Sequence, residues 1–60
     1  SLEELAIRLS NVVRVIYNGF LLSLEVDGRE LIVFPNGRAI IKGTTDEAEA
    51  RTLYARYIGT

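Results

Sequence analysis

Three turn dipeptides recur every nine residues through the middle of the chain. They are Asn18-Gly19, Asp27-Gly28 and Asn36-Gly37, and each lies between runs rich in β-branched, aliphatic and aromatic residues. Asn-Gly and Asp-Gly suit two-residue hairpin loops, because a type I′ turn requires positive φ at both central positions. Three successive hairpins predict a four-stranded antiparallel meander.

The dipeptides also predict how the strands pair. A two-residue loop at the first turn places Tyr17 opposite Phe20, and one at the second turn places Leu24 opposite Leu31. In this register one face of the sheet is apolar along the first three strands. The residues predicted on that face are Val13, Val15, Tyr17, Phe20, Leu22, Leu24, Val26, Leu31 and Val33.

The third turn has a different sequence, Phe34-Pro35-Asn36-Gly37-Arg38. Pro35 presets φ for a type I turn, and Gly37 can adopt the left-handed bulge position that follows such a turn. This arrangement places Ala39 and Ile41 on the apolar face. A plain two-residue loop would place Ile40 there instead, so the sequence leaves two registers open.

A short helix is predicted before the first strand. Ser1-Leu2-Glu3-Glu4 has the form of a capping box, in which the Ser1 hydroxyl and the Glu4 carboxylate bond to each other's backbone amides. Leu5 and Leu9 follow at helical spacing.

A second helix is predicted after the last strand. Thr44-Thr45-Asp46-Glu47 forms another capping box with acids in the first turn, and Gly59 occupies the position of a left-handed C-cap. Between them, apolar residues recur with the spacing of one helix face. They are Ala50, Leu53, Tyr54, Tyr57 and Ile58.

Together these elements predict an α+β fold of order α-β-β-β-β-α, with both helices on the same face of the meander. The 60 residues form a single small domain, and chains of this size usually need a staple or a partner. Without cysteine there is no disulfide. We therefore expect support from a second copy or from a longer parent chain.

Composition excludes several function classes. The formal charge of −1 has no basic run, so nucleic acid is not expected as a partner. No stretch is long and apolar enough to span a membrane, and a cytoplasmic location is expected. The chain lacks His and Cys, and its remaining candidate catalytic residues do not cluster, so no catalytic residue, cofactor or metal site is predicted. The acids near the second turn and the second helix are interpreted as turn and cap residues.

Two other surface features are candidate sites. Lys42, Thr44 and Thr45 surround the predicted start of the second helix, where an anion could bind, although a simple cap is the favoured interpretation.

The face of the sheet away from the helices is apolar enough to indicate an interface. Its predicted apolar residues are Val12, Ile16, Leu21, Ile32, Phe34 and Ile40.

Two stretches, residues 31–44 and residues 50–59, carry a family resemblance. The first reads Leu-Ile-Val-Phe-Pro-Asn-Gly-Arg-Ala-Ile-Ile-Lys-Gly-Thr and the second Ala-Arg-Thr-Leu-Tyr-Ala-Arg-Tyr-Ile-Gly. Together they resemble the C-terminal tail of bacterial ThiF/MoeB/HesA-type adenylyltransferases. Asn36 stands where that family has Asp, and Asn supports the same turn.

The resemblance implies that this chain is a C-terminal fragment of a longer protein. Such a parent would use ATP to activate a ubiquitin-like sulfur carrier for thiamin or molybdopterin biosynthesis. No catalytic residue of that family has a counterpart here, so the fragment is expected to be accessory, with a role in dimerisation, in docking on the adenylating domain or in contacting the carrier. The alternative is an independent module that associates with itself.

Overall fold

The computed structural model describes residues 1–59 and confirms the predicted α+β fold. One antiparallel sheet has its strands in the order β1-β2-β3-β4, so each strand pairs with its neighbour in sequence. The elements are α1 (Leu2–Leu9), β1 (Arg14–Tyr17), β2 (Leu22–Val26), β3 (Arg29–Val33), β4 (Ala39–Lys42) and α2 (Glu47–Tyr57).

The second and third turns have the predicted geometry. Asp27 and Gly28 both have positive φ, as a type I′ turn requires. In the third turn the Gly37 amide donates to the Phe34 carbonyl (3.0 Å), and Gly37 has a φ of 89°. This is the type I turn with a left-handed bulge, and it pairs Leu31 with Ile41. Of the two registers left open, the bulged one is correct.

The predicted register of the first hairpin is wrong. Tyr17 pairs with Leu22 and not with Phe20, so the loop contains residues 18–21. Asn18 favours this longer loop, because its Oδ1 accepts bonds from the backbone amides of Phe20 (2.9 Å) and Leu21 (3.0 Å). The register moves by two residues, and a shift of two keeps every side chain of the strands on its predicted face.

The helix starts are partly as predicted. In α1 the Glu4 amide donates to Ser1 Oγ (3.2 Å). The N-cap of α2, however, is Asp46, whose Oδ1 accepts from the Ala48 amide (2.9 Å). The capping box predicted at Thr44 is wrong, because the Thr44 hydroxyl accepts from the Asp46 amide (3.1 Å) in the turn before the helix, and Asp caps a helix at least as well as Thr.

The core lies between the sheet and the two helices. Four side chains at its centre are fully buried, Leu22 and Leu24 from β2 and Leu31 and Val33 from β3. Ala6 and Leu9 of α1 and Leu53 of α2 belong to the same cluster. Both helices therefore cover one face of the sheet, and the opposite face, here called the outer face, has no layer over it within residues 1–59.

Candidate docking surface

The strand pairing arranges the outer face in rows that cross all four strands. An apolar row runs from Ile16 through Ser23 and Ile32 to Ile40. A charged row lies next to it, toward the second turn. It contains Arg14, Glu25, Glu30 and Lys42.

The apolar row continues toward the other end of the sheet, beyond the last paired residues of β2 and β3. Leu21 precedes β2 and Phe34 follows β3, and both are half-buried. At the two edges of the sheet, Ile16 is 61% exposed and Ile40 is 49% exposed. We call these five residues the outer patch: Ile16, Leu21, Ile32, Phe34 and Ile40. Val12, also predicted here, precedes β1 and is not in the sheet.

The charged row gives the outer patch a polar border. It holds two cations and two carboxylates, and the Glu25 and Glu30 positions face each other across β2 and β3. Like charges in directly opposite positions are unfavourable, and the Ser23 hydroxyl donates to Glu30 Oε2 (2.8 Å) beside them. The outer face therefore divides along the strands into an apolar end and a charged end.

A groove of about 480 Å³ lies at the apolar end, beside the third turn. Phe34 and Ile40 of the outer patch form part of its wall, so the two features are continuous. The third turn, beside the groove, is joined to α2, because the Tyr54 hydroxyl donates a hydrogen bond to the Gly37 carbonyl (2.9 Å). The remaining residues that line the groove are Pro35, Asn36, Arg38 and Ala39.

Phe20 is an exposed residue that the sequence reasoning missed. It was expected opposite Tyr17 on the apolar inner face, but in the four-residue loop its side chain is 76% exposed. Asn18 could have indicated this, because Asn at the start of a loop can close a longer turn with its own side chain. Phe20 immediately precedes Leu21, and the loop is thus joined to the outer patch.

The arrangement around α2 gives the predicted anion site no support. The Asp46 and Ala48 amides already donate to Thr44 and Asp46 oxygens, and Lys42 and Thr45 are exposed. An anion would also lie close to Glu49. We therefore do not include Lys42, Thr44 and Thr45 in the proposed function.

Glu49 has a structural role in this region. Its carboxylate accepts hydrogen bonds from Arg29 Nε and Arg29 Nη2, both at 2.8 Å, and so joins α2 to the start of β3. A hydrogen bond from Thr44 and the paired Arg29 guanidinium hold the pKa of Glu49 below its ordinary value of 4.5, against the opposite effect of burial. The shortest ion pair in residues 1–59 thus joins a helix to the sheet.

No group of three or more His, Cys, Asp or Glu residues among residues 1–59 is placed to hold a metal ion. Over the same residues, neither helix has the length and apolar character needed to cross a membrane.

Comparison with known proteins identifies a relative. The chain is 39% identical over 59 residues to the sulfur carrier protein ThiS adenylyltransferase of Bacillus subtilis (strain 168). The match covers 97% of this chain but 18% of that protein, so the chain spans about a fifth of the relative's length. This confirms the resemblance to ThiF-type adenylyltransferases, and the similarity is confined to a small segment of the relative. No protein-family model matches the chain, and no solved structure matches it.

Proposed function

We propose that this chain is a non-catalytic accessory domain of a ThiF-type adenylyltransferase, and that its outer patch docks on the adenylating part of that protein. The observation that carries the proposal is the 39% identity along almost the whole chain to a segment of a ThiS adenylyltransferase. The parent protein would use ATP to activate a ubiquitin-like sulfur carrier, in thiamin or molybdopterin biosynthesis.

The outer face supports docking because it leaves apolar side chains uncovered on an otherwise well-buried sheet. The inner face buries four side chains completely, whereas Ile16 and Ile40 on the outer face are about half exposed or more. Contiguous apolar surface of this kind on a small domain is typical of an interaction site. The charged row beside it fits the polar rim of such a site.

The size of the outer patch favours a tethered partner over a freely formed dimer. A stable interface between separate proteins usually involves about 20–30 residues and about 800 Å² on each side. The outer patch has five residues, and the whole chain exposes 4239 Å². A partner in the same polypeptide is held at an effective concentration in the millimolar range, so a small contact is enough to keep it docked.

The first test measures the solution mass of this chain alone by sedimentation velocity over a wide concentration range. We expect a monomer, because the outer patch is too small for a stable dimer. A double variant, Ile32→Ser with Phe34→Ser, is measured beside it. A dimer of the original chain that the double variant abolishes would instead support the alternative function, an independent self-associating module.

The second test adds the partner. The Bacillus subtilis ThiS adenylyltransferase is prepared without the segment that matches this chain, and ¹⁵N-labelled chain is titrated with it. We expect amide shifts to change around the outer patch, and the double variant to lose them. Ile7→Ser is the matched control, since Ile7 is 65% exposed but lies on α1, away from the outer face.

Other outcomes of this titration are informative. Unchanged amide shifts with the original chain would contradict docking on the adenylating part. A separate titration with the sulfur carrier protein ThiS tests the remaining partner, and shifts at the outer patch in that titration alone would assign the surface to the carrier.

A further inference from the structure

Phe20 is the most exposed large apolar side chain among residues 1–59, with 76% of its surface accessible. Its position in the loop between β1 and β2 separates it from the core, so its ring contributes little to the stability of the fold. An exposed aromatic ring is costly in water, and burying it in a partner is favourable.

The loop that carries Phe20 is closed by hydrogen bonds. Asn18 Oδ1 accepts from the amides of Phe20 and Leu21, and the Asn18 amide donates to the Leu21 carbonyl (3.3 Å). Three hydrogen bonds thus restrain the four residues of the loop. An aromatic residue on a restrained loop has less conformational freedom to lose on binding, which favours a large contribution to the affinity of an interface.

The loop also lies at the apolar end of the outer face. In an antiparallel meander the first and third turns are at the same end of the sheet and the second turn is at the other. Phe20 is therefore at the same end as Leu21, Phe34 and the groove, and away from the charged row. A partner that covers the outer patch and extends beyond the first turn would contact Phe20 without having to bury the charged row.

We propose that Phe20 is the anchor residue of the docking surface, and that the adenylating part of the enzyme receives its ring in an apolar pocket next to the surface that covers the outer patch. This inference rests on the proposed function and deepens it by naming the residue that dominates the affinity and the chemistry of the partner's site. The partner needs a concave, uncharged pocket of the size of one aromatic ring.

The test uses the two phenylalanines of the chain, Phe20 and Phe34. Chain labelled with 4-fluorophenylalanine gives two ¹⁹F resonances, and Phe20→Ala assigns them. Titration uses the Bacillus subtilis ThiS adenylyltransferase that lacks the matching segment. We expect the Phe20 resonance to shift on binding. We also expect Phe20→Ala to raise the dissociation constant at least about tenfold, as measured by ¹⁵N amide shifts.

Control variants distinguish a loss of binding at Phe20 from a loss of stability and from a failure of docking itself. Phe20→Ala keeps the backbone amides that donate hydrogen bonds to Asn18 Oδ1, so its unfolding midpoint should equal that of the original chain. Ile7→Ala serves as the control at another exposed residue. If Phe20→Ala binds as tightly as the original chain while the Ile32→Ser, Phe34→Ser variant does not bind, Phe20 is not the anchor but docking stands. If the original chain does not bind, both proposals are overturned.

Discussion

Gly43 is the residue at which the backbone is most constrained. It connects β4 to the segment that leads into α2, and its φ is 95°. A Cβ built on it would lie 3.0 Å from the Gly28 carbonyl oxygen and 3.1 Å from Arg29 Cα. Positive φ is therefore combined with close approach of another backbone segment, and only glycine satisfies both conditions.

We predict that Gly43→Ala destabilises the fold by about 1–3 kcal/mol, because the alanine meets both a strained dihedral angle and backbone atoms that cannot move away easily. Gly37→Ala is the matched control, since Gly37 has a φ of 89° but open space around its Cβ position. Urea unfolding midpoints measure the difference. Equal losses for the two variants would mean that the close approach to β3 has no energetic effect.

At the level of elements, α2 is attached to the sheet by polar contacts at both of its ends. The Arg29–Glu49 pair fixes its first turn, and the Tyr54 hydroxyl bonds to the third turn. Leu53 is the one buried residue of this helix among the described residues, and Tyr57 and Ile58 pack against the core cluster while partly buried. The polar contacts therefore add to the apolar contacts that hold α2 on the sheet.

The lowered pKa of Glu49 predicts how this attachment depends on pH. A carboxyl group whose pKa is lower in the folded than in the unfolded state stabilises the fold above its ordinary pKa, here 4.5, and the stabilisation is lost as the pH falls through the lowered value. We expect Glu49→Gln to unfold at a lower urea concentration than the original chain at pH 7. The difference should shrink as the pH falls below 4.5.

Glu47→Gln is the control for this experiment. Glu47 lies in the same turn of α2 but is 90% exposed, and it contacts Arg51 only at 3.7 Å. Exposed pairs of this kind contribute little. A pH-dependent loss in Glu47→Gln as large as that in Glu49→Gln would assign the effect to the helix N-terminus in general and not to the pairing with Arg29.

For the whole molecule, the two faces of one sheet differ sharply in burial. Leu31 and Ile32 are neighbours in β3, but Leu31 is fully buried under the helices whereas Ile32 lies on the outer face. Alternation along a strand is what buries one residue in the core and places the next on the face that we propose for docking.

This division predicts contrasting effects of mutation. Leu31→Ala should cost about 2–5 kcal/mol, a large share of the about 3–9 kcal/mol expected for a domain of this length. Ile32→Ser should cost much less, since that side chain is only half-buried. Thermal unfolding followed by circular dichroism measures both variants. A greater loss of stability in Ile32→Ser would contradict the assignment of the two faces.

Much of the fold could be predicted from local sequence signals. Asp27-Gly28 and Pro35-Asn36-Gly37 specify their turns because few residue types accept the required dihedral angles. The first turn was predicted incorrectly because Asn18-Gly19 is compatible with two loop lengths, and only the hydrogen bonds of the Asn18 side chain distinguish them. The N-cap of α2 was ambiguous for a similar reason, since Thr44 and Asp46 are both good capping residues.

The sequence by itself determined the order of the elements, the inner and outer faces of the sheet and the similarity to an adenylyltransferase, because alternation and turn chemistry are local properties that neighbouring residues carry. The tertiary structure decided the exposure of Phe20, the pairing of Arg29 with Glu49 and the separation of the outer face into apolar and charged ends. These features depend on the strand register and on contacts between residues far apart in the chain, and local sequence patterns do not specify such contacts.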